Sequence, residues 1–194
     1  MVVTETRDRI LTGARKAIRA QGYDDASVED FARAVGLTKG AVYSQFDHKQ
    51  DVLLALIDLW LSESTEHLQK PHNQPFAAVG AFVLEEGRGR WREIIPEFWR
   101  QAVDDEVVRD RLARAYDQIE AVLAAVIRRR RYPEEAAASA RIAIRLHDGL
   151  IAITALHKPA AKSLTRRDLA FLLSDTLALS RLTSVRPGKR VVII

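Results

Sequence analysis

Between residues 38 and 49 the sequence TKGAVYSQFDHK gathers Thr38, Lys39, Gly40, Tyr43, Ser44 and Lys49. These side chains hold phosphate and read base edges. An ammonium group neutralises phosphate, a hydroxyl donates to phosphate or to a base, and a glycine lets the backbone approach closely. From Phe31 to Gln50 there are three cations, Arg33, Lys39 and Lys49, against the single anion Asp47. Covalent chemistry finds less support. The chain has no cysteine, which excludes disulfides and thiolate metal sites and fits a reducing compartment. None of His48, His67, His72, His147 and His157 has a Glu three residues before it, as a carboxylate-bridged metal enzyme on a helical bundle requires. Glu63 and His67, one turn apart, form a single pair of a kind common on helix surfaces. Neither a Walker-type phosphate loop nor a Gly-x-Ser-x-Gly elbow is present, so no catalytic residue, metal or cofactor is expected.

The elements that position this stretch are legible around it. Ser27 followed by Asp30 starts a helix, the hydroxyl accepting from an orphan amide and the carboxylate favouring the positive helix end. Val28, Phe31, Ala32 and Val35 make one apolar stripe about two turns long, and Gly36 stands where such a helix ends in the left-handed region. Leu37 plugs the turn and Thr38 caps the next helix, whose Ala41, Val42 and Phe46 face inward. The arrangement is a helix-turn-helix, which places its second helix in the DNA major groove. Ser27, at the mouth of the first of these helices, is a further DNA-facing candidate.

In Gly22, Phe31-Ala32, Ala34, Gly36-Leu37-Thr38-Lys39-Gly40, Val42-Tyr43, Phe46 and Lys49, the chain resembles the TetR family of bacterial transcriptional regulators. The pattern covers roughly the first quarter of the chain. The resemblance implies that Thr38, Lys39, Tyr43 and Lys49 contact the DNA backbone. It also implies that residues 39–44, Gly40, Ala41 and Ser44 among them, include those facing bases. Val35, Gln45 and Asp47-His48 depart from the family's usual residues, which bears on the operator sequence.

A length of 194 residues allows one large or two small domains, and the formal charge of +4 is a weak vote for a nucleic-acid partner. The polar, charged start MVVTETRDRIL is unlike a signal peptide, and no apolar run is long enough to span a bilayer, so a cytoplasmic protein is expected. Helical spacing predicts a first helix over 6–19, ended by Gly22, and a long one from Lys49 or Gln50 to Gln69. Pro71 and Pro75 then mark a boundary. Phe76 to Val83, Trp91 to Ala102, residues 104–129, Pro133 to Leu156 and Thr165 to Leu182 read as further helices, with Pro96 expected to bend or break the second of these.

The fold expected is all-α. A helix-turn-helix domain over 1–50 leads through a connecting helix over 51–70 to a ligand-sensing and dimerisation domain over 75–185 and a tail over 186–194. The last two helices are apolar over more of their circumference than one small domain requires, which predicts a twofold contact between copies. Ile142, Leu150, Ile153, Leu169, Leu172, Leu173, Thr176 and Leu179 are the candidate interface. A recognition helix this short reads only a few base pairs, so a homodimer on a near-palindromic operator is the usual solution. Trp91, Phe98, Trp99, Tyr116 and His147 are candidates for a pocket beside the Pro96 kink, holding an apolar or aromatic effector. The resemblance implies a repressor released by that effector. A dimer without an effector and an enzyme on a helical bundle are the alternatives.

Overall fold

The computed structural model describes residues 2–70, 91–128 and 136–156. Among them are seven helices and no strand: α1 (Val2–Gln21), α2 (Val28–Arg33), α3 (Lys39–Tyr43), α4 (Lys49–Gln69), α5 (Ile95–Asp104), α6 (Glu106–Arg128) and α7 (Ala136–Leu156). The expected segment at Phe76 to Val83, the helix from Thr165 and the tail lie outside the described residues.

The first three helices close around Ile10, Leu11, Ala14, Ile18, Phe31, Ala32, Val42 and Phe46, all buried. Two glycines turn the chain, Gly22 with φ 80° after α1 and Gly36 with φ 67° after α2. Both sit where a side chain would be strained. After Gly36 the amide of Leu37 reaches back to the Ala32 carbonyl at 2.9 Å, which folds α3 across α2. A third glycine acts by absence of bulk. Gly13 lies where α1 crosses α2, and a Cβ there would stand 2.1 Å from the Phe31 carbonyl oxygen.

Helix α4 leaves this unit and packs against both α1 and α6. Its Val52, Leu53, Leu56, Ile57 and Trp60 are buried almost completely. The Trp60 ring meets Tyr116 edge-on at 5.3 Å and Phe98 at 6.2 Å, favourable geometries for aromatic quadrupoles. Along α6 the stripe Val108, Leu112, Ala115, Ile119, Leu123 and Ile127 is buried. On α7, Ala136, Ala140, Ala143, Ile144, His147 and Ile151 are buried while Arg141 and Arg145 are exposed.

Pro96 corrects one expectation. It stands in the first turn of α5, where its missing amide hydrogen has no helical acceptor to lose, and residues 91–94 form a turn before it. The proline opens a helix rather than kinking one, so the space that a kink was expected to create beside the aromatic residues is not made in that way.

Gly13→Ala is expected to destabilise the N-terminal unit by about 2 kcal/mol or more, since the clash is with backbone and α1 must move off α2. Urea unfolding followed by circular dichroism measures it, and an unchanged midpoint would show that the crossing tolerates a methyl group.

Candidate nucleic-acid interface

Helix α3 presents its polar side chains because its termini are closed locally. Thr38 is its N-cap, the hydroxyl oxygen accepting from the Ala41 amide at 3.2 Å, and Ser44 closes the other end by donating to the Ala41 carbonyl at 2.8 Å. Both residues are exposed, while Ala41 is half-buried against the unit. Tyr43 is 47% exposed although it is an aromatic residue on a helix whose Val42 is buried. Gly40 is exposed with ordinary helical φ, and a Cβ there would meet only the Thr38 hydroxyl, at 3.9 Å. The fold therefore does not require glycine at this position, and its use is left to whatever approaches the face.

The Lys39 ammonium lies 2.6 Å from a Glu29 carboxylate oxygen and 6.0 Å from the centre of the Tyr43 ring. The hydrogen bond that Lys39 donates to Glu29, and the charge of Glu29, raise the Lys39 pKa. Lys49 is placed differently. Its ammonium donates to the Asp24 carbonyl at 3.1 Å and sits 4.3 Å over the Tyr23 ring, and partial burial pushes its pKa down. Of the two lysines, Lys39 shares the α3 face with Tyr43, whereas Lys49 is committed to the loop after α1.

Ser27 is half-buried and its hydroxyl is used in full. It accepts from the Asp30 amide at 3.1 Å and donates to the Asp30 carboxylate at 2.6 Å, while that carboxylate also accepts the Ser27 amide at 2.9 Å. The residue shapes the start of α2. These hydrogen bonds hold the Asp30 carboxyl at a pKa of about 2. Two arginines of α1, outside the candidate site residues, also come to this surface. Arg9 donates to the Val35 carbonyl at 2.8 Å, beside the turn, and Arg7 lies 4.3 Å over the Phe46 ring at the far end of α3. Nothing in the spacing of α1 reveals these contacts, which join residues 26 and 39 positions apart.

The five pocket candidates are brought around Trp60. Trp91 stacks at an angle on Phe98, 6.3 Å away, and its indole N–H donates to Glu63 at 2.7 Å. The Trp99 indole N–H donates to the Tyr116 hydroxyl at 2.9 Å, which in turn donates to Asp148 Oδ1 at 3.0 Å. His147 Nδ1, fully buried, lies 3.0 Å from the same oxygen. Burial, with the Asp148 charge beside it, drives the Tyr116 hydroxyl far above its ordinary pKa. Trp60, Glu63 and Asp148 were not among the sequence candidates, yet they tie those residues together. Of the interface candidates, Ile142 is 41% exposed on α7. The side chains of Leu150 and Ile153, and all of Leu169, Leu172, Leu173, Thr176 and Leu179, lie outside the described residues.

A polar seam joins the N-terminal unit to α5. The Tyr23 amide donates to Glu97 at 3.0 Å and Gln101 donates to Asp24 at 2.7 Å, while Arg100 bridges Asp24 and Glu97. Gln50 bonds to Asp105, and Arg111 on α6 pairs with Asp58 on α4 at 2.9 Å. A cleft of about 270 Å³ opens beside this last pair, lined by Arg7, Asp47, Asp51, Asp58 and Arg111 among others.

Residues 10–56 match the family model of the bacterial regulatory proteins, tetR family. The chain is 30% identical over 128 residues to the HTH-type transcriptional repressor AcnR of Corynebacterium efficiens, covering 58% of this chain and 67% of that one. It belongs to the TetR family. With the HTH-type transcriptional regulator SrpR of Pseudomonas putida it is 45% identical over 53 residues, 27% of this chain and 25% of that regulator's length. The fold is that of a transcriptional regulator from Rhodococcus sp. Rha1, with a TM-score of 0.72 at 21% identity, covering 93% of this chain and 99% of that one. These relatives are regulators of transcription, which sets aside the helical-bundle enzyme. Among the described residues of this TetR-family chain, no helix is long and apolar enough to cross a membrane.

The Asp30 pKa of about 2 gives a pH dependence. A carboxyl lowered on folding stabilises the fold above its unfolded value near 4, and that contribution is lost as the pH falls through the folded value. Loosening of α2 between about pH 4 and pH 2 is expected, reported by the Ser27 and Asp30 amide resonances, and Asp30→Asn should remove that part of the acid response.

Proposed function

We propose that the protein is a ligand-responsive transcriptional repressor that binds a near-palindromic operator as a homodimer. The observation that carries this is the exposed face of α3, where Lys39, Tyr43, Thr38 and Ser44 stand around a glycine that the fold does not need. A family relative, AcnR, is itself named a repressor. Twofold pairing supplies two recognition helices about one DNA turn apart, roughly 34 Å. The interface is assigned to α7 and the helix expected after it, and the exposure of Ile142 supports that assignment.

The effector is an apolar or aromatic small molecule that binds among Trp91, Phe98, Trp99, Tyr116 and His147, with Asp148, beside Tyr116 and His147, as a charged anchor. Its route to the DNA-binding unit runs through α5, which carries Phe98 and Trp99 on one side and Glu97, Arg100 and Gln101 on the other. A ligand that shifts α5 pulls on Tyr23 and Asp24. By linkage, operator DNA must lower effector affinity by the factor by which effector lowers operator affinity.

Mobility shift of the purified protein on its own upstream DNA, against scrambled duplex at several salt concentrations, tests the regulator. Specific retardation that weakens steeply with salt is expected. Lys39→Ala should weaken binding and leave the dimer intact. Gly40→Leu should abolish retardation with no loss of thermal stability, and retained binding would refute close approach at Gly40. Asp24→Ala should leave operator binding in place and reduce release by effector, once screening with the shift assay supplies one. Full release by that effector in Asp24→Ala would refute the route through α5.

A further inference from the structure

The cations of the helix-turn-helix already have internal acceptors. Arg33 pairs with Asp30 at 2.9 Å, Lys49 donates to the Asp24 carbonyl, and Lys39 pairs with Glu29. Two of these acceptors have other work in the fold. Asp30 closes the cap of α2, and the Asp24 carbonyl belongs to the seam loop. Glu29 makes no such contact. Among the described residues its carboxylate bonds to Lys39 alone, and it stands on the second residue of α2 with its side chain about half exposed, 52% against 50% for Lys39.

An acidic side chain beside the recognition helix opposes phosphate, and its one use in the fold is the modest one of an acid in the first turn of α2, at the positive helix end. A solvent-exposed pair of this kind contributes little to stability. It is therefore readily exchanged for a stronger anion. The Lys39 ammonium is compact with three rotatable donors, so it can transfer from one oxygen to another without movement of its helix.

We infer that Glu29 is an intramolecular substitute for DNA phosphate at Lys39. Its carboxylate holds the ammonium in the DNA-free protein and must be displaced when the backbone of the duplex arrives. This rests on the regulator reading above. Because phosphate carries no sequence information, the competition lowers affinity for operator and for unrelated DNA alike. It also flattens the salt dependence. The liberated carboxylate beside the duplex retains a cation that would otherwise be released, so the net number of ions set free is smaller.

The experiment compares wild type, Glu29→Gln, Lys39→Ala and the double variant on upstream and scrambled duplex over a salt series, with Glu29→Ala as a second removal of the charge. Glu29→Gln is expected to bind both duplexes roughly three- to tenfold more tightly, with a salt slope steeper by up to about 0.9 for each of the two subunits. In the Lys39→Ala background the gain should fall below about twofold, since no ammonium is left to exchange. An equal gain in both backgrounds would show that Glu29 acts as a bare charge and not through Lys39, which overturns the inference. Unchanged binding, or weaker binding with Glu29 removed, overturns it too, the latter by making Glu29 a support for Lys39 or a direct reader of bases. If the wild type binds no DNA, the regulator reading fails and this inference with it; if it binds and the variants do not move, this inference alone fails.

Discussion

Helix α4 is buried along most of its length, and everything else in the described structure is placed by it. Val52, Leu53, Leu56, Ile57 and Trp60 are almost without solvent exposure, and the helix packs against α1 on one side and α6 on the other. Interiors of this kind are close-packed and do not slide continuously. A helix shared by both halves of the molecule cannot tilt relative to one without disturbing the other. The apolar joint thus ties the aromatic cluster around Trp60 to the helix-turn-helix, alongside the polar seam that α5 makes with the loop after α1.

How much of this was legible in the sequence follows from the range of each interaction. The cap at Ser27 and Asp30, the turn at Gly36, the cap at Thr38 and the bounds of α4 are set by neighbours within a few residues, and the structure has them where the spacing placed them. Pro96 was misjudged although its effect is local, because periodicity from Trp91 to Ala102 continues through the turn of residues 91–94 and conceals where α5 begins. Gly13 was passed over because its reason lies on another helix, at the Phe31 carbonyl. Long-range pairs were the least readable. The Trp99, Tyr116 and Asp148 chain spans three helices, and although each member could be suspected alone, no pattern along the chain announces that they meet.

The same distinction applies to charge. Counting three cations against one anion between Phe31 and Gln50 suggested a bare basic surface. The structure supplies the missing terms: Asp30 and Glu29 lie just outside or opposite that window, and each takes a cation. Net charge along a sequence predicts attraction at a distance, whereas affinity at contact depends on which partner each cation leaves. For Lys49 the partners are a carbonyl and a ring, which it would leave at the expense of the Tyr23 loop. For Lys39 the partner is a carboxylate with nothing else to hold.

The seam and the aromatic cluster differ in how firmly they are held, and that difference is suited to switching. Asp24, Arg100 and Gln101 are partly exposed, and exposed pairs of this kind contribute little each. A few of them together make a contact weak enough to open and specific enough to report its position. A seam built of buried apolar contacts would be too stable to open for a small effector, and one with no specific contacts would not report its position. At the other end, the Tyr116 hydroxyl is buried against Asp148 and keeps its proton, so the link between Trp99 on α5 and Asp148 on α7 is a fixed hydrogen-bonded strut. A ligand that breaks into this strut must give Asp148 a donor in return, or leave a partly buried carboxylate with less than it had. Under the proposal that an effector binds here, its anchoring group must be a hydrogen-bond donor or a cation, even though the surrounding surface is aromatic.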